Sequence, residues 1–256
     1  MDEIHLILGN TCNFNCEFCF WERRTPTPNW KSIKHVLDEI IKSNIRKITI
    51  TGGEPTISPF FIKTLKYCRK NNLEIVVHSN GSKITKAMVQ KISPLINRVS
   101  ISIDGSTEKM AIKMRKNKFI KHNLSVIDFF IENHTPVSVK TLVTKVNRKD
   151  IQNIAKLLKN KNISYWSLLE FEPLGRGLLN QKKFSVSDKT FQQLTKTIVK
   201  DNPQINIKTI YLKTCPKPYC FITTEEDIFI DTHNEDVLVG NLKNDSLLKV
   251  IKKYFY

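Results

Sequence analysis

Three thiols crowd into the run Thr11-Cys12-Asn13-Phe14-Asn15-Cys16-Glu17-Phe18-Cys19-Phe20, spaced C-x3-C-x2-C. Soft thiolates suit both iron–sulfur clusters and zinc. A structural zinc site calls for four closed ligands, and no fourth cysteine or histidine follows nearby. Three thiolates leave one iron of a four-iron cluster without a protein ligand. The plain alternative is three buried cysteines packing as small hydrophobes, which sits poorly with half of the chain's six cysteines falling within eight residues. A second group, Thr51-Gly52-Gly53-Glu54-Pro55, directly follows the apolar run 45–50. Taken alone it is a strand-to-loop turn, where glycine lets a backbone or a ligand approach closely.

The elements that must position these residues alternate along the chain. Strands are expected at His5–Gly9, Lys47–Thr51, Glu74–Ser79, Val99–Ile103, Val137–Val143 and Ser167–Glu172. Between them run helical patterns. Ser32 caps a stripe of Ile33, Val36, Leu37, Ile40 and Ile41, and Phe61, Leu65 and Cys68 form a second, which turns Cys68 toward a core. Leu124, Ile127 and Ile131 form another; Asp150 caps Ile151, Ile154, Ala155 and Leu158, and Ser187 precedes Phe191, Leu194 and Ile198. Strands joined by helical crossovers imply a parallel sheet, here with too few units for a closed eight-stranded barrel. Ligands of parallel sheets bind at the C-terminal strand ends, so the cysteine loop and the Gly-Gly-Glu loop should share one rim. From about residue 205 the pattern changes: Ile205–Leu212 and Phe221–Asp231 alternate as strands, and the segment 237–242 leads to an amphipathic tail over 246–255.

A chain of 256 residues can bury a sizeable core. No apolar stretch approaches the roughly 20 residues needed to span a bilayer, the start Met1-Asp2-Glu3-Ile4 lacks the regions of a signal peptide, and clustered reduced cysteines fit the cytoplasm. The net charge of +17, from 41 Lys+Arg against 24 Asp+Glu, favours anionic partners. Its densest groups are Arg23-Arg24, Lys113 to Lys121 and Lys156 to Lys161, yet the lysines are scattered rather than striped, as in any Lys-rich chain.

C-x3-C-x-aromatic-C, with Phe18 as the aromatic, resembles the signature of the radical S-adenosylmethionine (SAM) enzymes, and Gly52-Gly53-Glu54 stands where that family has its second element. The resemblance implies an α/β fold: a partial (β/α)6 TIM-like barrel over residues 1–204, with a small C-terminal α+β half-domain over 205–256 similar to the twitch element of the SPASM branch. It implies that Cys12, Cys16 and Cys19 ligate a [4Fe-4S] cluster whose open iron is chelated by SAM. Reductive cleavage of SAM then yields a 5′-deoxyadenosyl radical that abstracts hydrogen from a substrate. It also implies a one-electron donor such as flavodoxin or ferredoxin.

Further roles follow from the resemblance position by position. The backbone of Gly52, Gly53 and Glu54 would hold the SAM amino group, so that a side chain at Gly53 should block SAM while sparing the cluster. Ser79-Asn80-Gly81 resembles the element near the SAM ribose, although Asn-Gly is also an ordinary turn. Ser102 matches a strand position that contacts SAM. Arg115 stands where relatives pair an arginine with the SAM carboxylate, a geometry an Arg fork suits; a solvated surface arginine is the alternative. Phe18 and Phe20 would wall the adenine, and Arg176 would meet a substrate anion.

Two departures stand out. Ser138-Val139-Lys140 replaces the basic-x-Asn element of molybdenum-cofactor cyclases and viperins, so their nucleotide contacts do not carry over. Cys215 and Cys220 are the only tail cysteines, too few to saturate an auxiliary cluster, with Asp231 and His233 as the other nearby donors. Expectation is therefore one cluster. The substrate is a small molecule or a peptide, the charge leaning toward an anionic one. A peptide or peptide-like product comes first, a viperin-like nucleotide second. The non-enzyme rival is an iron–sulfur electron carrier or redox sensor.

Overall fold

The alternation of period-2 and period-3.6 apolar patterns is realised as a βα-repeat in the computed structural model, which describes residues 1–21, 28–211, 219–232 and 235–255. The first six repeats comprise β1 (Glu3–Ile7), α1 (Trp30–Lys42), β2 (Lys47–Thr51), α2 (Phe61–Lys70), β3 (Glu74–Ser79), α3 (Lys86–Ile92), β4 (Arg98–Ser102), α4 (Glu108–Arg115), α5 (Ile120–Glu132), β5 (Val137–Val143), α6 (Ile151–Leu158) and β6 (Tyr165–Glu170). After these come α7 (Arg176–Leu179), α8 (Gln181–Phe184), α9 (Asp188–Asp201), β7 (Ile207–Ile210), β8 (Tyr219–Thr223), β9 (Asp227–Asp231), β10 (Asp236–Asn241) and α10 (Leu247–Phe255).

The ten strands among the described residues join one sheet in the order β10-β9-β8-β1-β2-β3-β4-β5-β6-β7. Strands β1 to β7 run parallel, as helical crossovers require. The tail strands extend this sheet at both edges: β7 is parallel to β6, and β8 returns beside β1, also parallel. The single strand expected over Phe221–Asp231 is a hairpin instead, β8 against antiparallel β9, turning at Glu226 with φ +75°.

Two expected caps differ. Asn29, not Ser32, caps α1, its side chain accepting the Ser32 N–H. Asp150 makes no side-chain cap on α6, because its carboxylate accepts Ser106 N and Oγ from the loop after the neighbouring strand β4, both at 2.6 Å. Ser187, which precedes the α9 stripe, caps that helix, its side chain accepting the Thr190 N–H.

Strand alternation sorts the two faces. Ile4 and Leu6, Ile48 and Ile50, Ile75 and Val77, Val99 and Ile101, and Val139 pack in the core with Ile33, Val36, Leu37 and Ile40 of α1 and the buried faces of the other helices. Each such side chain contributes about 1.5–3 kcal/mol on full burial. Cys68 belongs to this core, as its helical spacing implied. The opposite face carries Glu3, His5, Lys47, Thr49, His78, Arg98, Ser100, Ser138 and Lys140. The sheet curls about this polar face. Gly177 N, past the end of β6, donates to Cys19 O at 3.3 Å although four strands separate β6 from β1. The architecture is thus α/β, a partial TIM-like barrel. Among the described residues no helix is long and apolar enough to cross a membrane.

Candidate functional site at the C-terminal strand ends

The loops after β1 and β2 are joined through their backbones. Leu8 N donates to Thr51 O at 2.9 Å, Gly53 N to Gly9 O at 3.0 Å, and Glu54 N to Thr11 O at 2.9 Å. This closeness is why glycine is needed: a Cβ on Gly53 would lie 2.3 Å from Thr11 O and 2.7 Å from Asn10 O, and one on Gly52 2.5 Å from Gly9 O. Gly52 also has φ +132°, a conformation L-residues avoid. The approach expected of a ligand at Gly53 is made by the cysteine loop itself, so a side chain there disturbs that loop first. Among the described residues the carbonyls of Gly52 and Gly53 accept no hydrogen bond, which leaves them open to an ammonium donor.

Cys12, Cys16 and Cys19 are free thiols, exposed, buried and half-buried respectively. Burial pushes the Cys16 thiol up to about 11 and raises Cys12 as well. Phe14 N donates to Cys12 Sγ at 3.4 Å, and the Cys19 thiol donates to Trp21 O at 3.2 Å. The thiol protons leave when a metal binds, since thiolates are the ligands.

Glu54 points inward rather than toward a ligand. At 2% exposure, its Oε1 accepts Thr56 Oγ1 at 2.6 Å, Ser79 Oγ at 2.7 Å and Thr56 N at 3.2 Å, while Oε2 accepts Asn80 N at 2.7 Å. Burial raises its pKa and these donors oppose the rise. The carboxylate is a brace between the loops after β2 and β3. Asn80 continues the connection, its Nδ2 lying 3.0 Å from Asn13 Oδ1 and 3.9 Å from Cys12 Sγ. Gly81, with φ +79°, makes the turn, and Asn123 Nδ2 ties Asn80 O at 2.8 Å to Ser102 O at 3.1 Å. Ser102 itself is half-buried at the end of β4.

Arg115 is not a solvated surface arginine. Its Nε donates to Asp104, which is fully buried and accepts Leu142 N at 2.7 Å through its other oxygen. The guanidinium lies 5.3 Å over the Phe18 ring. Burial works against its charge, but the Asp104 carboxylate, with Cys16 when ionised, outweighs it and holds the pKa above its ordinary value. Phe18, at 8% exposure, packs edge-on against Phe184 and serves as floor to Arg115, so the more open ring for a planar ligand is Phe20, at 42%. Arg176 donates to Asn15 Oδ1, and Gly175, at φ +51°, lets the loop after β6 lie on Phe20 O.

Asn13, Asp104 and Asn123 have structural roles here that the sequence did not mark, because their partners lie 67, 11 and 43 positions away. Cys220 is buried in β8, its thiol pushed up to about 12 by burial, a packing residue. Cys215, His233 and Arg23-Arg24 lie outside the described residues.

The donor set fits the implied cluster: three free thiols on one loop, with a guanidinium beside them to offset thiolate charge. Among the described residues no three His, Cys, Asp or Glu side chains converge on a single ion position.

Residues 6–158, more than half of the chain, match the Radical SAM superfamily. An S-adenosylmethionine-dependent nucleotide dehydratase of Lacinutrix mariniflava is 25% identical over 211 residues, covering 76% of this chain and 44% of its own length. A GTP 3′,8-cyclase of Nautilia profundicola is 24% identical, covering 92% and 74%. Among solved structures, Streptococcus suis SuiB bound to precursor peptide SuiA superposes with a TM-score of 0.81 at 16% identity, covering 97% of this chain and 64% of that one. SuiB bound to S-adenosylmethionine gives 0.79. This chain therefore spans less than half of the dehydratase and under two-thirds of SuiB.

Proposed function

Because the chain belongs to the radical SAM superfamily, we propose that it is an enzyme in which a [4Fe-4S] cluster and SAM supply a 5′-deoxyadenosyl radical that abstracts hydrogen from a substrate. The observation that carries this reading is the backbone joining of the three-thiol loop to Gly52-Gly53-Glu54 at one rim. An electron carrier or redox sensor would need the thiols without that second loop.

Cys12, Cys16 and Cys19 would hold the cluster. The open carbonyls of Gly52 and Gly53 would accept the SAM ammonium, with Glu54 fixing their loop. Ser79, Asn80 and Ser102 would lie along the ribose side, and Phe18 with Phe20 along the adenine. Arg115 would present to the SAM carboxylate the nitrogens Asp104 does not take, while countering thiolate charge. The loop carrying Arg176 would help exclude water.

Residues 1–204 serve as the barrel and 205–256 as the twitch-like region, in a cytoplasmic protein reduced by a flavodoxin- or ferredoxin-type donor. For the substrate, a peptide is supported by the extent of the fold likeness to SuiB. A nucleotide is supported by the nucleotide-acting relatives and by one specific feature, the patch of Lys47, Arg98 and Lys140 on the inner face of the sheet.

Anaerobic reconstitution tests the cofactor assignment. About four irons and four sulfides per chain are expected for one cluster, with the cluster's electron paramagnetic resonance signal changing when SAM is added. About eight irons, halved by changing Cys215 and Cys220 to alanine, would show a second cluster. Tightly bound zinc with no SAM response would defeat the assignment.

A further inference from the structure

We propose that the inner face of the sheet holds a subsite for a phosphoryl group of the substrate, built from Lys140, Arg98 and Ser100. The inference rests on the reading that this chain binds SAM at the rim, and it deepens the nucleotide alternative.

Lys140 Nζ lies 3.2 Å from His78 Nδ1. These residues stand on β5 and β3, so both side chains reach across β4, on the face opposite the helix-packed Val77, Val99 and Val139. Ser100, on β4, is paired in register with His78 and with Ser138. Its Oγ is buried with no hydrogen-bond partner among the described residues, and so is Arg98 Nε, two residues earlier on the same face. Residues two apart on a strand are roughly 7 Å apart. Buried polar groups nearly always find partners; two donors without one among the described residues, beside an ammonium whose hydrogen bond there goes to an imidazole, mark a place for an acceptor.

The charges agree. The His5 and His78 rings are 6.0 Å apart, and burial pulls His5 down to about 4 and His78 well below its ordinary value, so both are neutral near pH 7. Burial also lowers Lys140, to about 8, with Glu3 opposing the drop and Arg98 adding to it, so the amine is mostly charged there. Glu3 is engaged by Lys47 at 2.8 Å and His5 at 3.6 Å, and among the described residues no carboxylate is within ion-pair distance of Lys140. Arg98 stacks 5.3 Å over Tyr165, which Lys208 also faces at 4.0 Å. Asp231 and Asp236 share this face farther along, on β9 and β10, but Glu3 is the acid that acts on Lys140 and His5; Lys47, Arg98 and Lys140 against it favour a dianionic oxyanion over a single carboxylate.

The location suits a substrate. His5 packs on Phe221 at 5.6 Å, and Phe221 clusters with Ile7 and Trp21, against which Cys19 lies. A phosphoryl group at Lys140 would thus sit below the cysteine loop, with the remainder of the molecule directed to the rim.

The test uses the reconstituted protein with SAM, titrated calorimetrically with pyrophosphate, the four common nucleoside triphosphates and hexaglutamate. At least one phosphoryl compound should bind, and Lys140→Met should weaken it about tenfold or more, the size expected for losing a hydrogen bond from a charged donor. Ser100→Ala should weaken it less. Circular dichroism and cluster absorbance check folding, with Lys140→Gln as the substitute should Lys140→Met misfold. Absent phosphoryl binding, unchanged affinity in the folded Lys140 variant, or Lys140-dependent binding of hexaglutamate alone would each overturn the subsite. Release of 5′-deoxyadenosine by the unaltered protein is read in parallel. Its presence without phosphoryl binding refutes the subsite only; its absence with Lys140-dependent binding intact refutes the SAM reading instead.

Discussion

Glu54 Oε2 accepts the Asn80 backbone N–H at 2.7 Å, so the acidic residue of the Gly-Gly-Glu loop is spent on holding the next loop. Glu54→Ala would leave Thr56 Oγ1, Ser79 Oγ and Asn80 N buried without their acceptor, at about 1–3 kcal/mol per group. The urea midpoint should fall sharply. Glu54→Gln, which keeps the shape but turns one oxygen into a donor, should recover only part of it. Full stability in Glu54→Ala would remove the brace from this account.

Gly53 is closed in by Thr11 O and Asn10 O, which changes what a side chain there does. Gly53→Val should lose cluster absorbance on reconstitution together with SAM affinity, because the displaced backbone carries Cys12. Loss of SAM binding with a full cluster would return Gly53 to a role at the ligand alone.

Asp104 and Arg115 form a pair whose acid is fully buried. Removing the acid by Asp104→Ala strands a guanidinium in the interior, a change that typically costs about 3–5 kcal/mol. Chemical denaturation should show a loss on that scale, and Arg115→Met on the Asp104→Ala background should restore part of it. A loss below about 1 kcal/mol would place the pair among solvent-exposed bridges.

Glu172 gives stability a pH dependence. Burial, with Asp231, Asp236 and Glu170 nearby, pushes its carboxyl up from 4.5 to about 8. Between those values the folded chain holds a proton that the unfolded chain has released, so this contribution is full below pH 4.5 and disappears as pH rises through 8. Urea midpoints at pH 5 and pH 8 should differ less in Glu172→Gln than in the unaltered protein. An equal difference in both would show that Glu172 does not titrate in this range.

The barrel and the rim were legible in the sequence because both are local signals. Period-2 runs such as Val137–Val143 and stripes such as Ile33 to Ile40 fix elements, and motifs directly after two strands must share one end of a parallel sheet. Asn29 and Asp150 show the limit: which polar residue caps a helix depended on a neighbour three residues away in one case and on Ser106, 44 positions away, in the other. The pairing of β8 with β1 joins His5 to Phe221, a separation no window along the chain reports. The cationic inner face was hidden likewise, since His78, Arg98 and Lys140 each occupy a separate strand and read singly as ordinary polar positions.

The most direct test of the central claim is product analysis of the anaerobically reconstituted protein with dithionite and SAM. The account predicts 5′-deoxyadenosine, abolished by Cys16→Ala. A fully loaded four-iron cluster that yields none, with or without the nucleoside triphosphates, would contradict it.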